Sequence, residues 1–238
     1  MGKNKLARWA ELNTFKNVIQ PDPGIQPDQD HPIKGKWKQE IFRNDNPVIL
    51  ELGCGKGEYT TGLSEKFPGN NYVGVDIKGA RRWHGARTAH EKNIPNAAFL
   101  RTRIEFIGSF FAEDEADEIW LTFPDPQPGK KNSNKKLTCP WFLNLYRSFL
   151  KNNGTIWLKT DNEELFNYTR SLSEKNNLPV LMSTSDLYRE DHLNDIFSIR
   201  THYENNYLSE GRKIHLLAFT LPKNRIIEDE ISKYFGKQ

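Results

Sequence analysis

The stretch Val48-Ile49-Leu50-Glu51-Leu52-Gly53-Cys54-Gly55-Lys56-Gly57 decides how this chain is organised. An apolar run of strand length ends at an acid, and three glycines follow at alternate positions. Downstream, Tyr72-Val73-Gly74-Val75-Asp76 is a second apolar run closed by a carboxylate. Together they read as a buried strand, a tight glycine turn, a helix start and a second strand that delivers Asp76 beside the turn. Gly53, Gly55 and Gly57 keep the backbone bare for a ligand lying against it and tolerate positive φ. The free N–H groups at the start of the next helix then face that ligand.

The glycine spacing narrows the ligand. A dinucleotide fingerprint wants its third glycine one position later, where this chain has Glu58. The pattern acid-x-Gly-x-Gly-x-Gly resembles instead the first motif of class I S-adenosylmethionine methyltransferases, which implies that cofactor. Asp76 suits a nucleoside ribose, because a carboxylate accepts from both hydroxyls and each charge-assisted bond contributes roughly 1.5–3 kcal/mol.

Composition sets the outer bounds. The 238 residues suffice for one well-buried α/β domain with appendages. Hydrophobic residues make up 36% of the chain, and no apolar run approaches the ~20 residues that span a bilayer. No apolar stretch follows Met1-Gly2-Lys3-Asn4-Lys5, so a secretory signal is not expected. The two cysteines, Cys54 and Cys139, do not form a disulfide framework, and a reducing cytoplasm fits best. A net charge of +3 permits a nucleic-acid partner without arguing for one. None of the six histidines shows metal-binding spacing, and no metal is expected. Oligomeric state is not legible.

Residues 1–46 read as a basic, proline-rich arm with a short helix over 35–43, and residues 47–238 as the main domain. Pro21, Pro23, Pro27 and Pro32 exclude a helix or a central strand, leaving a loosely wrapped tail or an arm that orders on a polyanion. Strands are expected at 48–52, 71–76, 97–100, 119–123 and 155–160, with a turn at Asn153-Gly154 and two more β runs at 180–188 and 213–221. Helices are expected at 57–66, 79–91, 140–150 and 162–174. This alternation implies a doubly wound, largely parallel sheet, whose ligands bind beyond the carboxyl ends of its strands. One rim thereby collects Glu51 to Gly57, Asp76, the segment after Phe123, and Asp161.

That segment runs Phe123-Pro124-Asp125-Pro126-Gln127-Pro128-Gly129, then Lys130, Lys131, Lys135 and Lys136 within a few residues. The prolines hold Asp125 extended. The lysines are either a solvated surface or a phosphate-contacting patch.

Phe-Pro-Asp-Pro after the fourth strand, a basic run, Leu137-x-x-Pro140-x-Phe142-Leu143, Lys159-Thr160-Asp161 and Thr201-His202-Tyr203-Glu204 together resemble the bacterial tRNA (guanine-N7-)-methyltransferase family. The resemblance implies a Rossmann-like class I methyltransferase fold with an antiparallel C-terminal strand. It also implies methyl transfer from S-adenosylmethionine to N7 of the variable-loop guanine of tRNA. Carried over by position, it assigns Glu51, Gly53, Gly55, Gly57, Asp76 and Arg103 to the cofactor, and Asp125 to catalysis. Gly129, Lys130, Asp161, Thr201, His202, Tyr203 and Glu204 fall to the substrate. Three positions depart from the family pattern: Gln127 stands where tryptophan is usual, Gly129 where lysine is usual, and Arg103 where an acid is usual. Lys130 is placed to replace the missing lysine, but an arginine cannot accept a hydrogen bond as a carboxylate does.

Guanine N7 carries an exposed lone pair, so attack on a sulfonium methyl needs positioning rather than a general base. A carboxylate at Asp125 would favour the cationic purine that forms, and would select guanine through its N1–H and N2–H edge. Other roles stay open: Glu51 organising its own turn, Asp161 capping the helix at Asn162, and Thr201 and Glu204 as surface residues. So do three other functions: methylation of a different nucleobase atom, RNA binding without turnover, and nicotinamide-dependent oxidoreduction.

Overall fold

A computed structural model describes residues 7–8, 10–21, 29–189 and 195–229, with side chains omitted at 79–81 and 130–131. Eight strands among them form one sheet: β1 (Val18–Ile19), β2 (Val48–Leu52), β3 (Asn71–Val75), β4 (Ala97–Leu100), β5 (Ala116–Thr122), β6 (Leu150–Thr160), β7 (Val180–Thr184) and β8 (His215–Leu221). Their order is 1-4-3-2-5-6-8-7. Pairing is parallel from β1 across to β6, and β8 runs antiparallel to both β6 and β7. The helices are α1 (Glu58–Lys66), α2 (Gly79–Glu91), α3 (Pro140–Tyr146), α4 (Glu163–Lys175) and α5 (His202–Ser209). This is the doubly wound, mostly parallel sheet expected from the alternation. None of these helices is long and apolar enough to cross a membrane.

Both faces of the central strands are covered, so β2, β3 and β4 are buried at every position. Alternate residues go to different cores. Leu50, Leu52, Ile119 and Leu121 join one cluster with Trp37 and Phe149, whereas Ile49 and Trp120 pack on the other face with Tyr59 and Phe197. Strand order reverses at β2, with β3 and β4 to one side and β5 and β6 to the other. The connections after β2 and β5 therefore diverge to opposite faces and open a crevice at the carboxyl ends.

Three local expectations are corrected. The Asn153-Gly154 turn lies inside β6, where Asn153 has φ +60° and four residues of β6 oppose one of β5 between the Ala116–Leu150 and Glu118–Thr155 pairs. The turn chemistry is present, but pairing resumes after it as a bulge. The short helix before the first strand is a single π-helical turn, Trp37–Phe42, fixed by Trp37 Nε1 donating to the Phe110 carbonyl at 2.8 Å.

The N-terminal segment is not a loose tail over residues 10–20. Val18–Ile19 adds to the sheet edge beside Phe99–Leu100, the Asn17 carbonyl accepts from Phe99 N–H at 2.8 Å, and Leu12 and Phe15 are buried against Ala86, Ala89 and Phe99. Prolines exclude a central strand, but a two-residue edge strand before them is compatible. Leu12→Ala should therefore cost about 2–5 kcal/mol in denaturant unfolding. An unchanged midpoint would mean that the segment does not contribute to the core.

Candidate active site

The glycine turn closes on the end of β3. Gly53 and Cys54 N–H both donate to the Val75 carbonyl, at 2.8 and 3.0 Å, and Gly53, Gly55 and Gly57 have φ of +82°, +56° and +74°. The three glycines do different things. A Cβ on Gly53 or Gly55 would meet no atom within 4 Å, because both border open space. One on Gly57 would sit 2.5 Å from the Phe99 ring and 3.1 Å from Gly85 Cα. Gly57 thus serves the packing of α1 on α2 and β4, and it does not line the cavity. Gly53 and Gly55 leave a cradle that a side chain would fill, which fits a nucleoside lying against the turn.

Asp76, one residue beyond β3, accepts from Gly55 N–H at 3.0 Å and from Lys78 N–H at 2.6 Å. Its carboxylate is thereby oriented at the cavity wall, with lone pairs left for further donors. Glu51 is buried behind the turn. It accepts from Thr60 N–H at 2.9 Å, from the Thr60 hydroxyl, and from the Thr122 hydroxyl at 2.5 Å. Burial pushes its carboxyl up to about 7, aided by the charge of Asp76 and opposed by the Thr122 and Thr60 hydrogen bonds. Glu51 touches the cavity, and its hydrogen bonds tie β2 to α1 and β5.

The loop after β5 forms the next wall. Phe123 and Gln127 are held at φ +49° and +47°, and Gly129 at +83°. Asp125 is exposed at the cavity, and its Oδ1 accepts from Gln127 N–H at 3.2 Å. The lysine run divides. Lys136 is 2% exposed and donates to the Pro126 carbonyl at 3.1 Å and to the Gln127 carbonyl, with Glu164 at 3.7 Å. It is a strut under the loop rather than part of a solvent-facing patch. Lys135 is exposed and lines the cavity, while the Lys130 and Lys131 side chains lie outside the described residues. Gly129 stands off the cavity, its N–H 3.2 Å from Glu164 Oε1.

Helix α5 supplies the third wall. Thr201 and Glu204 form a reciprocal capping box at its start. Thr201, Tyr203 and Tyr207 line the cavity. His202 is exposed beside it, its N–H bonded to Glu58 Oε2 at 2.8 Å, which ties α5 to the start of α1. Glu204 is not at the rim: it is fully buried against Lys159. Asp161 lies off the cavity lining, paired with Arg212 at 2.9 Å, and the cap of α4 is Asn162. Arg103 lines the wall but pairs with Glu105 at 3.0 Å, and Glu105 supplies an acceptor there two residues later.

The walls enclose about 1080 Å³. Besides Glu105, sequence reasoning missed Glu58, Lys78, Thr102, Thr122, Trp141 and Tyr207 as lining residues. Trp141 had a readable signal: it follows Pro140 at the first turn of α3, before the buried Phe142, and is 52% exposed. Among the described residues, no group of three or more His, Cys, Asp or Glu is arranged to hold a metal.

A family described as "Putative methyltransferase" matches residues 45–217. The tRNA (guanine-N(7)-)-methyltransferase of Bacteroides fragilis (strain YCH46) is 48% identical over 223 residues, covering 94% of this chain and 88% of that protein. The chain belongs to the tRNA (guanine-N7-)-methyltransferase family. Its fold is shared more distantly with the 16S rRNA methyltransferase KamB, at 11% identity and a TM-score of 0.61 over 83% of this chain and 98% of that one. It is shared also with a point mutant of the 16S rRNA (adenine(1408)-N(1))-methyltransferase of Catenulisporales acidiphilia, solved with cosubstrate SAM. That structure is 16% identical, with a TM-score of 0.58 over 88% of this chain and 96% of that one.

The Glu51 carboxyl sets a pH dependence. Its folded value of about 7 exceeds the ordinary 4.5, so the native state holds a proton that the unfolded chain releases. Stability from this group is full below about pH 4.5 and is lost as pH rises through about 7. Urea unfolding across pH 5–8 should show this decline in the wild-type protein and a flatter profile in Glu51→Gln. Parallel profiles would remove the assignment.

Proposed function

We propose that the protein transfers the methyl group of S-adenosylmethionine to N7 of a guanine in tRNA, and that this guanine lies in the variable loop. One observation carries the reading. A single cavity is bounded by the bare glycine turn with Asp76 on one side, and by Asp125 with α5 on the other. The first half suits a nucleoside and the second a purine. The cofactor, when bound, supplies an electrophilic methyl group on a sulfonium.

Every other contribution comes from the chain. Gly53 and Gly55 admit the nucleoside against the backbone, and Asp76 accepts from its ribose hydroxyls. Glu105, rather than its partner Arg103, offers the acceptor for an adenine amine. Glu51 fixes the turn from the inner wall of the cavity, and Gly57 seats α1 behind it. On the substrate side, Asp125 lies beside the purine, where its charge favours the cation that develops and its oxygens accept from N1–H and N2–H. Guanine N7 needs no general base, so positioning supplies most of the catalysis.

Tyr203 and Trp141 offer aromatic surface to an unstacked base, and Lys135 offers its charge to the phosphates. Lys130 has the same role by its place in the sequence. Asp161 holds Arg212 at the edge of this wall, Gly129 lets the loop turn, and Thr201 and His202 fix the start of α5. The catalytic domain spans residues 47–238, and the segment before it contributes the edge strand β1.

Labelled S-adenosylmethionine and unmodified tRNA, followed by borohydride/aniline cleavage, should give a cut at the variable-loop guanine that is lost in Asp76→Ala and Asp125→Ala. Label without that cut would move the target to another atom. Cofactor binding without label would make this an RNA-binding module without turnover. Trp141→Ala should raise KM for tRNA about fivefold to a hundredfold, the range of one stacked base, with S-adenosylhomocysteine affinity unchanged. An unaltered KM would remove Trp141 from the substrate wall.

A further inference from the structure

Lys159, near the carboxyl end of β6, is bound to both substrate-side walls and lines neither. Its backbone carbonyl accepts from Phe123 N–H at 2.8 Å, where the Asp125 loop begins. Its side chain is fully buried, with Nζ 2.7 Å from Glu204 Oε1 in the first turn of α5 and 3.2 Å from the Ile199 carbonyl just before that helix. Neither Lys159 nor Glu204 borders the cavity, whereas Thr201, Tyr203 and Tyr207 of the same segment do.

The surroundings are built for the pair. The Tyr188 hydroxyl donates to Glu204 Oε1 at 2.6 Å, and the ammonium lies 5.2 Å from the Tyr59 ring centroid and 5.9 Å from that of Tyr188. Arg200 adds a further charge, 4.5 Å from the Tyr188 centroid. Burial lowers the Lys159 pKa and Glu204 opposes that shift. Charges taken this far from water persist only when they are paired and hydrogen-bonded.

We infer that Lys159 and Glu204 are positioning residues: their buried ion pair sets α5 against the Asp125 loop, and Glu204 acts on the substrate only through the helix it anchors. This deepens the tRNA reading above and rests on it for the activity readout alone. The glycine turn and Asp76 belong to other strands and α5 reaches that side only through His202 and Glu58 at the start of α1, so cofactor affinity should change far less than activity on tRNA.

The test compares the full-length wild-type protein with Lys159→Met and with Lys159→Met/Glu204→Gln. It follows amide exchange over 202–209, affinity for S-adenosylhomocysteine, and kcat and KM for tRNA. Lys159→Met strands a buried carboxylate. It should speed exchange in α5 and lower kcat/KM about a hundredfold, with S-adenosylhomocysteine affinity held within about twofold. The double variant removes the stranded charge while glutamine keeps the capping box. It should restore protection of α5 and recover at least about tenfold of the lost activity.

Two results overturn the inference: Lys159→Met with wild-type exchange and activity, or a double variant with a protected α5 that is no more active than Lys159→Met. The latter would place Glu204 on the substrate itself. Should the wild-type protein leave tRNA unmethylated, the functional reading fails alone, because the exchange comparison needs no tRNA and still decides whether the pair seats the helix.

Discussion

The carbonyl of Val75 accepts two hydrogen bonds, from Gly53 and Cys54 N–H, and the arrangement of the site follows from that. The bonds dock the turn after β2 on the end of β3, which only a residue tolerant of positive φ at Gly53 allows. Asp76, the next residue after Val75, then reaches Gly55 N–H and is aimed into the crevice. Glu51 draws α1 and β5 towards β2 from behind through Thr60 and Thr122. The cofactor side is therefore a local construction. The residues proposed to hold the cofactor lie within a few residues of three neighbouring strand ends, those of β2, β3 and β4.

The substrate side is assembled from distant parts. The Asp125 loop, α3 and α5 come from separate stretches, and the loop is held by a few specific contacts. Lys136 holds two carbonyls of the loop, and Gly129 N–H reaches Glu164 on α4. Phe123 at φ +49° is costly for an aromatic residue, by about 1–3 kcal/mol, and such strain persists only where the surroundings over-determine it. Here they do so through the bond to the Lys159 carbonyl and a ring contact with Tyr207 at 5.6 Å.

This difference explains what was legible. Apolar runs, glycine spacing and the acid at Asp76 are short-range signals, and the bounds of β2 and β4 and the placing of Gly53, Gly55 and Asp76 at the cavity were read from them directly. Lys135 and Lys136 are identical in sequence terms, and only tertiary packing makes one solvent-facing and the other a buried strut. Glu204 reads as a substrate contact or a surface residue, whereas it is the buried capping-box acid of a helix that the sequence did not announce, with a partner 45 positions away on β6. The edge strand at Val18–Ile19 was hidden because two residues carry no periodicity. The Asn153-Gly154 signal was sound about backbone conformation and silent on whether the strand resumes.

The two halves also differ in how they respond to loss of a contact. A glycine turn held by backbone bonds has few alternative conformations, so the cofactor side is preorganised before any ligand arrives. The substrate side depends on a lysine whose charge is tolerated only while Glu204 stays in place, and on a loop whose strain is released if its anchors let go. The buried charges make a poor hydrophobic core, but they make an ill-placed α5 expensive, since moving the helix strands both charges at once. Each wall is thus fixed relative to the sheet through Lys159, by main chain on one side and side chain on the other. A methyl transfer that relies on alignment rather than on acid–base chemistry needs that kind of fixed distance between its walls.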